Sequence, residues 1–191
     1  MIAISIKSDL DRMAKSIAGQ QSKVLRAIAQ GLNEGGDKVR TQVRKAMREQ
    51  TGLTKLKSIT SRERGIRAFA TGLAPKSGIG PSRGASLDYT IIYMGKPNTK
   101  PAEFKTQVET GPGGGVTVYM WNKAHKFKRS FQQKNKGGLR MRIGGPRMPI
   151  RSFDGPNLAK EALKDQVAAT FLEQAAVLVP PMIEKRIARA L

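Results

Sequence analysis

The chain of 191 residues contains no cysteine and a single histidine. The absence of cysteine excludes disulfides and thiolate zinc sites, and it fits a protein that folds in a reducing cytoplasm. The histidine, His125, lies in the basic run AHKFKR, and we expect it at a surface or turn position rather than in a catalytic site. Enzymes that depend on a cysteine nucleophile or on several histidine ligands are therefore excluded.

Acidic residues are scarce, and one long stretch has none. The chain has 35 Lys and Arg against 14 Asp and Glu, which gives a formal net charge of +21. Residues 110–153 carry ten of the basic residues and no Asp or Glu. Like charges at this density repel one another, so we expect solvent or a polyanionic partner to screen them. Nucleic acid, or an assembly built around nucleic acid, is the expected partner.

Long apolar runs are also missing. No segment approaches the roughly 20 apolar residues that span a bilayer, and the apolar start at residues 1–6 is too short for the hydrophobic region of a signal peptide. We therefore expect a protein made in the cytoplasm, with no membrane partner. Hydrophobic residues make up 39% of the chain and aromatic residues 5%. This modest supply suggests that part of the apolar surface is buried against neighbouring subunits.

The residues offer no catalytic or metal-binding pattern. Between residues 70 and 158 the chain has only four carboxylates, and their spacing matches no metal-ligand motif. The glycine run GPGGG at residues 111–115 lacks the lysine and the hydroxyl of a phosphate-binding P-loop, so we interpret it as a hairpin turn. We expect a protein that is not an enzyme and that needs no cofactor or metal.

Hydrophobic periodicity predicts a strand and then a long helix in the first part of the chain. Alternating isoleucines predict a strand at residues 2–6. Apolar residues at threes and fours then predict a long amphipathic helix from about Ser22 to Gly52, with Gly35 and Gly36 as a bend or a close crossing point.

Strand patterns dominate the middle of the chain. Residues 87–94 (LDYTIIYM) predict a strand that is central in a sheet, and residues 116–121 predict another. Residues 124–131 and 139–143 predict a hairpin whose outward side chains are basic.

The last part of the chain is predicted to be helical. Asn157 is placed to cap a helix, which Pro180 and Pro181 are expected to break, and Pro181 is expected to open a last helix. The predicted fold class is α+β, with a small antiparallel sheet packed by a long N-terminal amphipathic helix and by C-terminal helices. We expect a single domain over residues 1–191, made of a helical part (1–52), a basic β-rich part (53–156) and C-terminal helices (157–191).

The basic β-rich part is the candidate binding surface. Its lysines and arginines are interleaved with apolar residues, so the region can fold and present its charges on a structured face. No helix-turn-helix, zinc-finger or RNP-like motif accompanies it, which favours sequence-indifferent contact with phosphates. The residues of this basic surface, a site for nucleic acid or for an acidic protein partner, are Lys126, Lys128, Arg129, Lys134, Lys136, Arg140, Arg142, Arg147 and Arg151.

The order of elements and the end of the chain resemble the minor tail protein Z family of tailed bacteriophages. A long helix and a basic β region are followed by RMPIRSFDGPNLAKEAL at residues 147–163 and by the ending PPMIEKRIARAL. The resemblance depends most on a turn before the last helices, here called the family-like turn. Its residues are Arg147, Pro149, Ile150, Gly155 and Pro156. No catalytic residue is carried over, because members of this family are structural.

This resemblance implies a structural virion protein, a tail-completion or terminator subunit at the head-proximal end of the tail. It implies a hexameric ring that supports head-tail joining and the passage or retention of DNA, since tail tubes have sixfold symmetry. The implied partners are tail tube, terminator and connector proteins, together with double-stranded DNA in the channel. The implied location is the tail or neck of the virion, after assembly in the host cytoplasm.

The charge alone fits a second function equally well. A sequence-nonspecific nucleic-acid-binding protein, associated with ribosomes or with the nucleoid, would show the same excess of Lys and Arg. A ring oligomer would favour the virion protein. A monomer whose binding weakens by orders of magnitude between low and physiological salt would favour the alternative.

Overall fold

The chain folds into helices and small antiparallel sheets, which confirms the predicted α+β class. The computed structural model describes residues 2–6, 21–68, 87–93, 98–109, 114–132, 139–142 and 150–191. Contacts divide the chain into a first unit (Met1–Val43, Glu63–Met94 and Ala168–Leu191) and a second unit (Arg44–Arg62 and Gly95–Val167). Each unit joins segments that are distant in sequence. The single domain over residues 1–191 stays a prediction.

The helices and strands alternate irregularly along the chain. The helices are α1 (Gln21–Thr51), α2 (Lys57–Thr60), α3 (Leu158–Glu161) and α4 (Asp165–Ala190), with a 3-10 turn at Pro101–Glu103. The strands are β1 (Ile2–Ile6), β2 (Glu63–Ile66), β3 (Tyr89–Tyr93), β4 (Lys105–Val108), β5 (Gly115–Met120), β6 (Lys123–Lys128), β7 (Ser130–Gln132), β8 (Leu139–Arg142) and β9 (Ile150–Ser152). The described strands form three antiparallel sheets, β1-β3-β2, β4-β5-β6 and β7-β8-β9, where the sequence predicted one.

Helix α1 runs for 31 residues and has one buried apolar face. Apolar residues recur on this face every three or four positions, the spacing of an amphipathic helix. The largest of them are Val24, Ile28, Leu32, Val39, Val43 and Met47. The helix ends before Gly52, whose φ of 77° lies in the left-handed region that favours glycine. The predicted helix from about Ser22 to Gly52 is confirmed.

Strand β3 is the centre of the sheet in the first unit. Ile91 lies opposite Ile4 of β1 on one side and opposite Gly65 of β2 on the other. Tyr89 and Ile91 are fully buried. The predicted central strand at residues 87–94 is therefore confirmed, and its cause is the burial of aromatic and β-branched side chains on a pleated surface.

Glycines in α1 set the crossing of α1 and α4. A Cβ atom on Gly31 would lie 2.6 Å from the Cα atom of Ile183, and one on Gly35 would lie 2.9 Å from the Cα atom of Val179. Without side chains at these positions, the two backbones approach closely. Because later residues of α1 face earlier residues of α4, the helices run antiparallel. Of the bend or close crossing predicted at Gly35 and Gly36, the crossing is confirmed at Gly35, whereas Gly36 faces the ring of Tyr89; Gly31 extends the crossing by one turn.

Helix α4 continues through Pro180 and Pro181, which corrects the prediction that these residues break it. Both proline rings are exposed. Val179 and Ile183, on either side of the prolines, are buried where α4 crosses α1. This packing holds the helical path across the positions where proline removes backbone hydrogen bonds.

The exposed side of α4 is unusually apolar. By length and composition, Gln166–Ala190 is long and apolar enough to cross a membrane, and 22% of its most apolar stretch is buried. The sequence predicted no such segment. One helix of this kind does not by itself indicate a membrane span, because core helices meet the same criterion. Leu172 and Val177 are 68% and 63% exposed. These side chains are available for a partner.

A polar network joins α1 to the sheet of the first unit. The hydroxyl of Tyr89 donates to Oδ1 of Asp37 at 2.6 Å, and Arg67 pairs with Oδ2 of Asp37 at 2.8 Å. Arg40 forms an ion pair with the buried Glu63. Burial and the hydrogen bond to Asp37 raise the pKa of Tyr89 to about 12. Arg40 is therefore bound within the fold.

Candidate nucleic-acid interface

A β-hairpin in the second unit positions the first part of the basic surface. Strands β5 and β6 are connected by Trp121 and Asn122, whose φ values of 50° and 57° suit a two-residue hairpin turn. The side chain of Asn122 donates to the carbonyl of Glu49 at 2.9 Å, and the N–H of Trp121 donates to the carbonyl of Thr51 at 2.9 Å. The turn is thus anchored to the C-terminal end of α1.

The register of sheet β4-β5-β6 sorts its side chains onto two faces. Val116 and Val118 of β5 lie on one face and are fully buried. Lys105, Lys126 and Lys128 lie on the other, because each is opposite an alternate residue of β5. All three lysines are exposed. The sheet therefore has a core face and a basic face.

Lys105 belongs to the basic face, although the sequence did not predict it as a site residue. Its ammonium lies 5.4 Å from the centroid of the Tyr119 ring, within cation–π range. Strand β4 precedes the acid-free stretch, so charge density gave no signal there. The pairing of residues 105–108 with β5 is the feature from which Lys105 could have been predicted as a site residue.

Lys126 has a counterion, which the predicted basic surface did not include. Its ammonium lies 2.5 Å from Oε2 of Glu109, and Thr117 donates to Oε1 of Glu109 at 3.3 Å. The hydrogen bond from Lys126 lowers the pKa of Glu109. Glu109 directly precedes the acid-free stretch. Among the described residues, no carboxylate lies within ion-pair distance of Lys128, so Lys128 is the better candidate for binding an external anion.

A bulge at Arg129 moves the chain from one sheet to the next. Arg129 has a φ of 58°, and its N–H donates to the carbonyl of Gly114 at 3.2 Å. Oγ of Ser130 accepts from the N–H of Val116 at 2.9 Å and donates to the carbonyl of Phe127 at 2.6 Å. These bonds end the pairing with β5, so that β7 pairs with β8 instead. This change of partner divides the basic region into two sheets.

The sheet β7-β8-β9 brings two predicted arginines together and separates a third. Arg140 and Arg142 lie on one face of β8, with Phe131 of β7 opposite Arg140. The guanidinium of Arg142 lies 5.4 Å from the centroid of the Phe131 ring. Arg151 of β9 lies opposite Met141 and therefore on the other face.

The described part of the family-like turn anchors the fold. The N–H of Gly155 donates to the carbonyl of Thr99 at 2.6 Å, and the N–H and Oγ1 of Thr99 both donate to the carbonyl of Pro156 at 3.0 Å. A Cβ atom on Gly155 would lie 2.5 Å from Oγ1 of Thr99, so glycine is required. Asn157 then caps α3, as predicted, by accepting from the N–H of Lys160 at 3.1 Å.

Some predicted site residues cannot be compared with the structure. Lys134 and Lys136 of the basic surface lie outside the described residues, as do Arg147 and Pro149. Ile150, the remaining residue of the family-like turn, is 37% exposed on β9.

A buried carboxylate fixes α3 to the end of α1. Glu161 is 3% exposed and accepts hydrogen bonds from Gln50 at 3.0 Å and from Lys164 at 2.9 Å. Burial raises the pKa of Glu161, but the hydrogen bonds from Lys164, Gln50 and Trp121, with the charge of Lys164, together outweigh it, so its pKa is lowered. The charge of Glu161 is satisfied inside the protein and is not offered to a ligand.

The described residues contain no group of three or more His, Asp or Glu side chains that could hold a metal ion. His125 lies on strand β6, half-buried, rather than in a turn. It is opposite Val118 on the core side of the sheet, and its ring meets Trp121 edge-on at 5.8 Å between centroids. These positions give His125 a packing role.

Comparison of the chain with protein-family models, with curated proteins and with solved structures found no match. The resemblance to the minor tail protein Z family therefore depends on the sequence features alone and stays a hypothesis.

Proposed function

We propose that the protein is a structural virion protein of a tailed phage, a tail-completion or terminator subunit that forms a ring at the head-proximal end of the tail. The observation that carries the proposal is a basic face on each of two sheets of the second unit: Lys105 and Lys128 lie on one face of β4-β5-β6, and Arg140 and Arg142 lie on one face of β7-β8-β9. Such a face attracts double-stranded DNA through its phosphates without reading its sequence.

The positions of Tyr119 and Phe131 support contact with phosphates at these two rings rather than stacking of bases on them. Tyr119 is half-buried under Lys105, and Phe131 lies beside Arg142. Rings covered by cations are not available as platforms on which bases could stack. A protein that guides or retains packaged DNA needs this kind of sequence-indifferent surface.

The exposed apolar side of α4 supports the proposal that the protein forms a ring. Leu172 and Val177 are both more than half exposed, and a second copy of the chain would bury them. The modest hydrophobic content of the chain, 39%, agrees with a protein that completes its apolar burial on assembly.

Binding of duplex DNA tests the basic face. Arg140→Gln combined with Arg142→Gln should reduce the slope of log Kobs against log salt concentration by about two, since each lost phosphate contact removes about one. The measurement is fluorescence anisotropy of a labelled duplex between low and physiological salt. Lys45→Gln combined with Arg64→Gln is the charge-matched control, because both residues are exposed and lie outside the basic surface. Equal losses in the variant and the control would contradict a localised DNA face.

The virion role has its own test in the phage that encodes the chain. The Arg140→Gln and Arg142→Gln variant should assemble tails that join heads poorly or lose DNA, which electron microscopy and infectious titre measure. A normal yield of infectious particles would contradict the proposal. Nonspecific DNA binding by a protein that stays monomeric at high concentration would instead support the ribosome- or nucleoid-associated alternative.

A further inference from the structure

A second group of cations lies in the first unit, in a groove between α1 and α4. Lys23 and Arg26 line the groove from α1, and Arg186 and Arg189 line it from α4. The groove has a volume of about 380 Å³. All four cations belong to the first unit, whereas the basic surface belongs to the second. The groove is thus a separate site from the proposed DNA face.

The helix crossing explains why the groove exists. Gly31 and Gly35 bring the backbones of α1 and α4 together, and the groove lies on the same seam beyond Gly31. Small residues, Ala27 from α1 and Ala190 from α4, also line it. Short side chains beside long basic side chains leave an open groove with positive charge along its lining.

Most of these cations lack an internal partner. Arg186 pairs with Glu34. Among the described residues, no carboxylate lies within ion-pair distance of Lys23, Arg26 or Arg189. These three side chains are exposed, so an external ligand can reach them. Like charges facing each other across the seam repel, and a bound anion would relieve that repulsion.

The chemistry of the lining selects phosphate. On each helix the two cations are three residues apart and therefore neighbours on one face, about 5–6 Å between Cβ atoms. Arginine presents a planar fork of donors that matches phosphate oxygens, and the amide of Gln30 adds a neutral donor. Among the described residues, no aromatic side chain lines the groove, so these residues offer nothing on which a base could stack.

We propose that the groove between α1 and α4 binds phosphate groups, either of a nucleic-acid backbone or of a free oligophosphate. Lys23 and Arg26 hold the anion from one side, and Arg189 holds it from the other. Arg186 remains bound to Glu34. This site does not depend on the proposed virion role.

Two variants of the full-length chain test the groove from its opposite walls. The first combines Lys23→Gln with Arg26→Gln, and the second is Arg189→Gln. The control is Lys45→Gln with Arg64→Gln, which removes the same two charges as the first variant from exposed positions outside the groove. Circular dichroism melting without ligand checks that each variant folds. All of the substituted side chains are exposed, so melting temperatures near that of the wild type are expected.

The probes are inorganic tripolyphosphate and a 20-base-pair DNA duplex. Tripolyphosphate should raise the melting temperature of the wild type and of the control, since ligand binding to the folded state stabilises it, and this rise should be largely lost in both groove variants. If nucleic acid is the source of phosphate, the salt slope for the duplex should also fall by about two in the first variant and by about one in Arg189→Gln. If only tripolyphosphate binding changes, the source is a free oligophosphate, and the site stands.

Three results would overturn the proposal. The first is wild-type response to both probes in the two groove variants. The second is an equal loss in the Lys45→Gln and Arg64→Gln control, which would mean that net charge alone decides binding. The third is that the groove variants weaken binding of a polyglutamate peptide more than they weaken binding of tripolyphosphate or of the duplex. This result would assign the groove to an acidic protein. The first and third results leave the effect of Arg140 and Arg142 on duplex binding unchanged, so the groove can fail while the proposed function stands. The virion test in the phage is independent of all three.

Discussion

Arg62 illustrates how a partner decides the role of a charged residue. Its guanidinium forms two hydrogen bonds with Glu103, at 2.7 and 2.9 Å, and a third with the carbonyl of Ser58 at 2.6 Å. Burial raises the pKa of Glu103, but the hydrogen bonds from Arg62, from Ser58 and from the backbone of Lys100, with the charge of Arg62, together outweigh it, and the pKa is lowered. Lys128, by contrast, is exposed and has no carboxylate partner among the described residues. At the residue scale, only the second kind of cation is a candidate for binding.

The lowered pKa of Glu161 makes stability depend on pH. Between the folded-state pKa and the ordinary value of 4.5, the unfolded chain binds more protons than the folded protein. The free energy of unfolding therefore rises with pH in that window. The contribution of Glu161 is present above the ordinary value and is lost as the pH falls through the folded-state pKa.

Glu161→Gln should lower the free energy of unfolding at neutral pH by about 1–3 kcal/mol, because Lys164 and Gln50 lose a buried charged acceptor. As the pH falls, the free energy of unfolding of this variant should also decrease less steeply than that of the wild type. Urea unfolding at neutral pH and near pH 4 measures both effects. Glu173→Gln, which removes an exposed carboxylate of α4, controls for the loss of one charge. A wild-type pH dependence in Glu161→Gln would contradict the assigned role.

At the scale of elements, the glycine crossing links α1 to α4. Gly31 and Gly35 are four residues apart and therefore lie on one face of α1, opposite Ile183 and Val179. The crossing supports α4 on both sides of Pro180. One pair of missing side chains thus lets the two helix backbones approach each other.

Gly31→Ala separates two opposing effects. Helix propensity alone predicts a gain of about 1 kcal/mol. The new Cβ atom, however, would lie 2.6 Å from the backbone of Ile183, so the helices must move apart. We expect a net loss of about 1–3 kcal/mol in the free energy of unfolding, measured by chemical denaturation. Lys45→Ala, at an exposed position of the same helix, should change it by less than about 0.5 kcal/mol. A stabilised Gly31→Ala variant would rule out the close crossing.

At the scale of the whole molecule, two surface properties require partners. The formal charge of +21 favours a polyanion, and the apolar exposed side of α4 favours a protein surface. A ring around DNA would satisfy both requirements at once. A monomeric nucleic-acid-binding protein would satisfy only the first.

Leu172→Glu combined with Val177→Glu should therefore abolish or strongly weaken self-association. Both side chains are exposed in the single chain, so the fold should be retained while the subunit contact gains two buried charges. Sedimentation equilibrium over a range of protein concentrations measures the effect. Ala102→Glu with Gln132→Glu adds two carboxylates at other exposed positions and should leave assembly unchanged. Assembly of the Leu172 and Val177 variant as in the wild type would place the contact elsewhere.

The sequence by itself determined the elements whose signals are local. The apolar repeat of α1, the central strand β3 and the cap at Asn157 all follow from residues within a few positions of one another. The basic β region and the α+β class also follow from the sequence alone.

Only the tertiary structure decided which cations have an ion-pair partner and where helices cross. Glu109 reaches Lys126 because β4 and β6 flank β5, and α4 continues through Pro180 because it packs on α1. The groove between α1 and α4 joins residues more than 150 positions apart in sequence. Periodicity reports the neighbours of a residue along the chain, whereas ion pairs and helix crossings depend on neighbours in space that no sequence window contains.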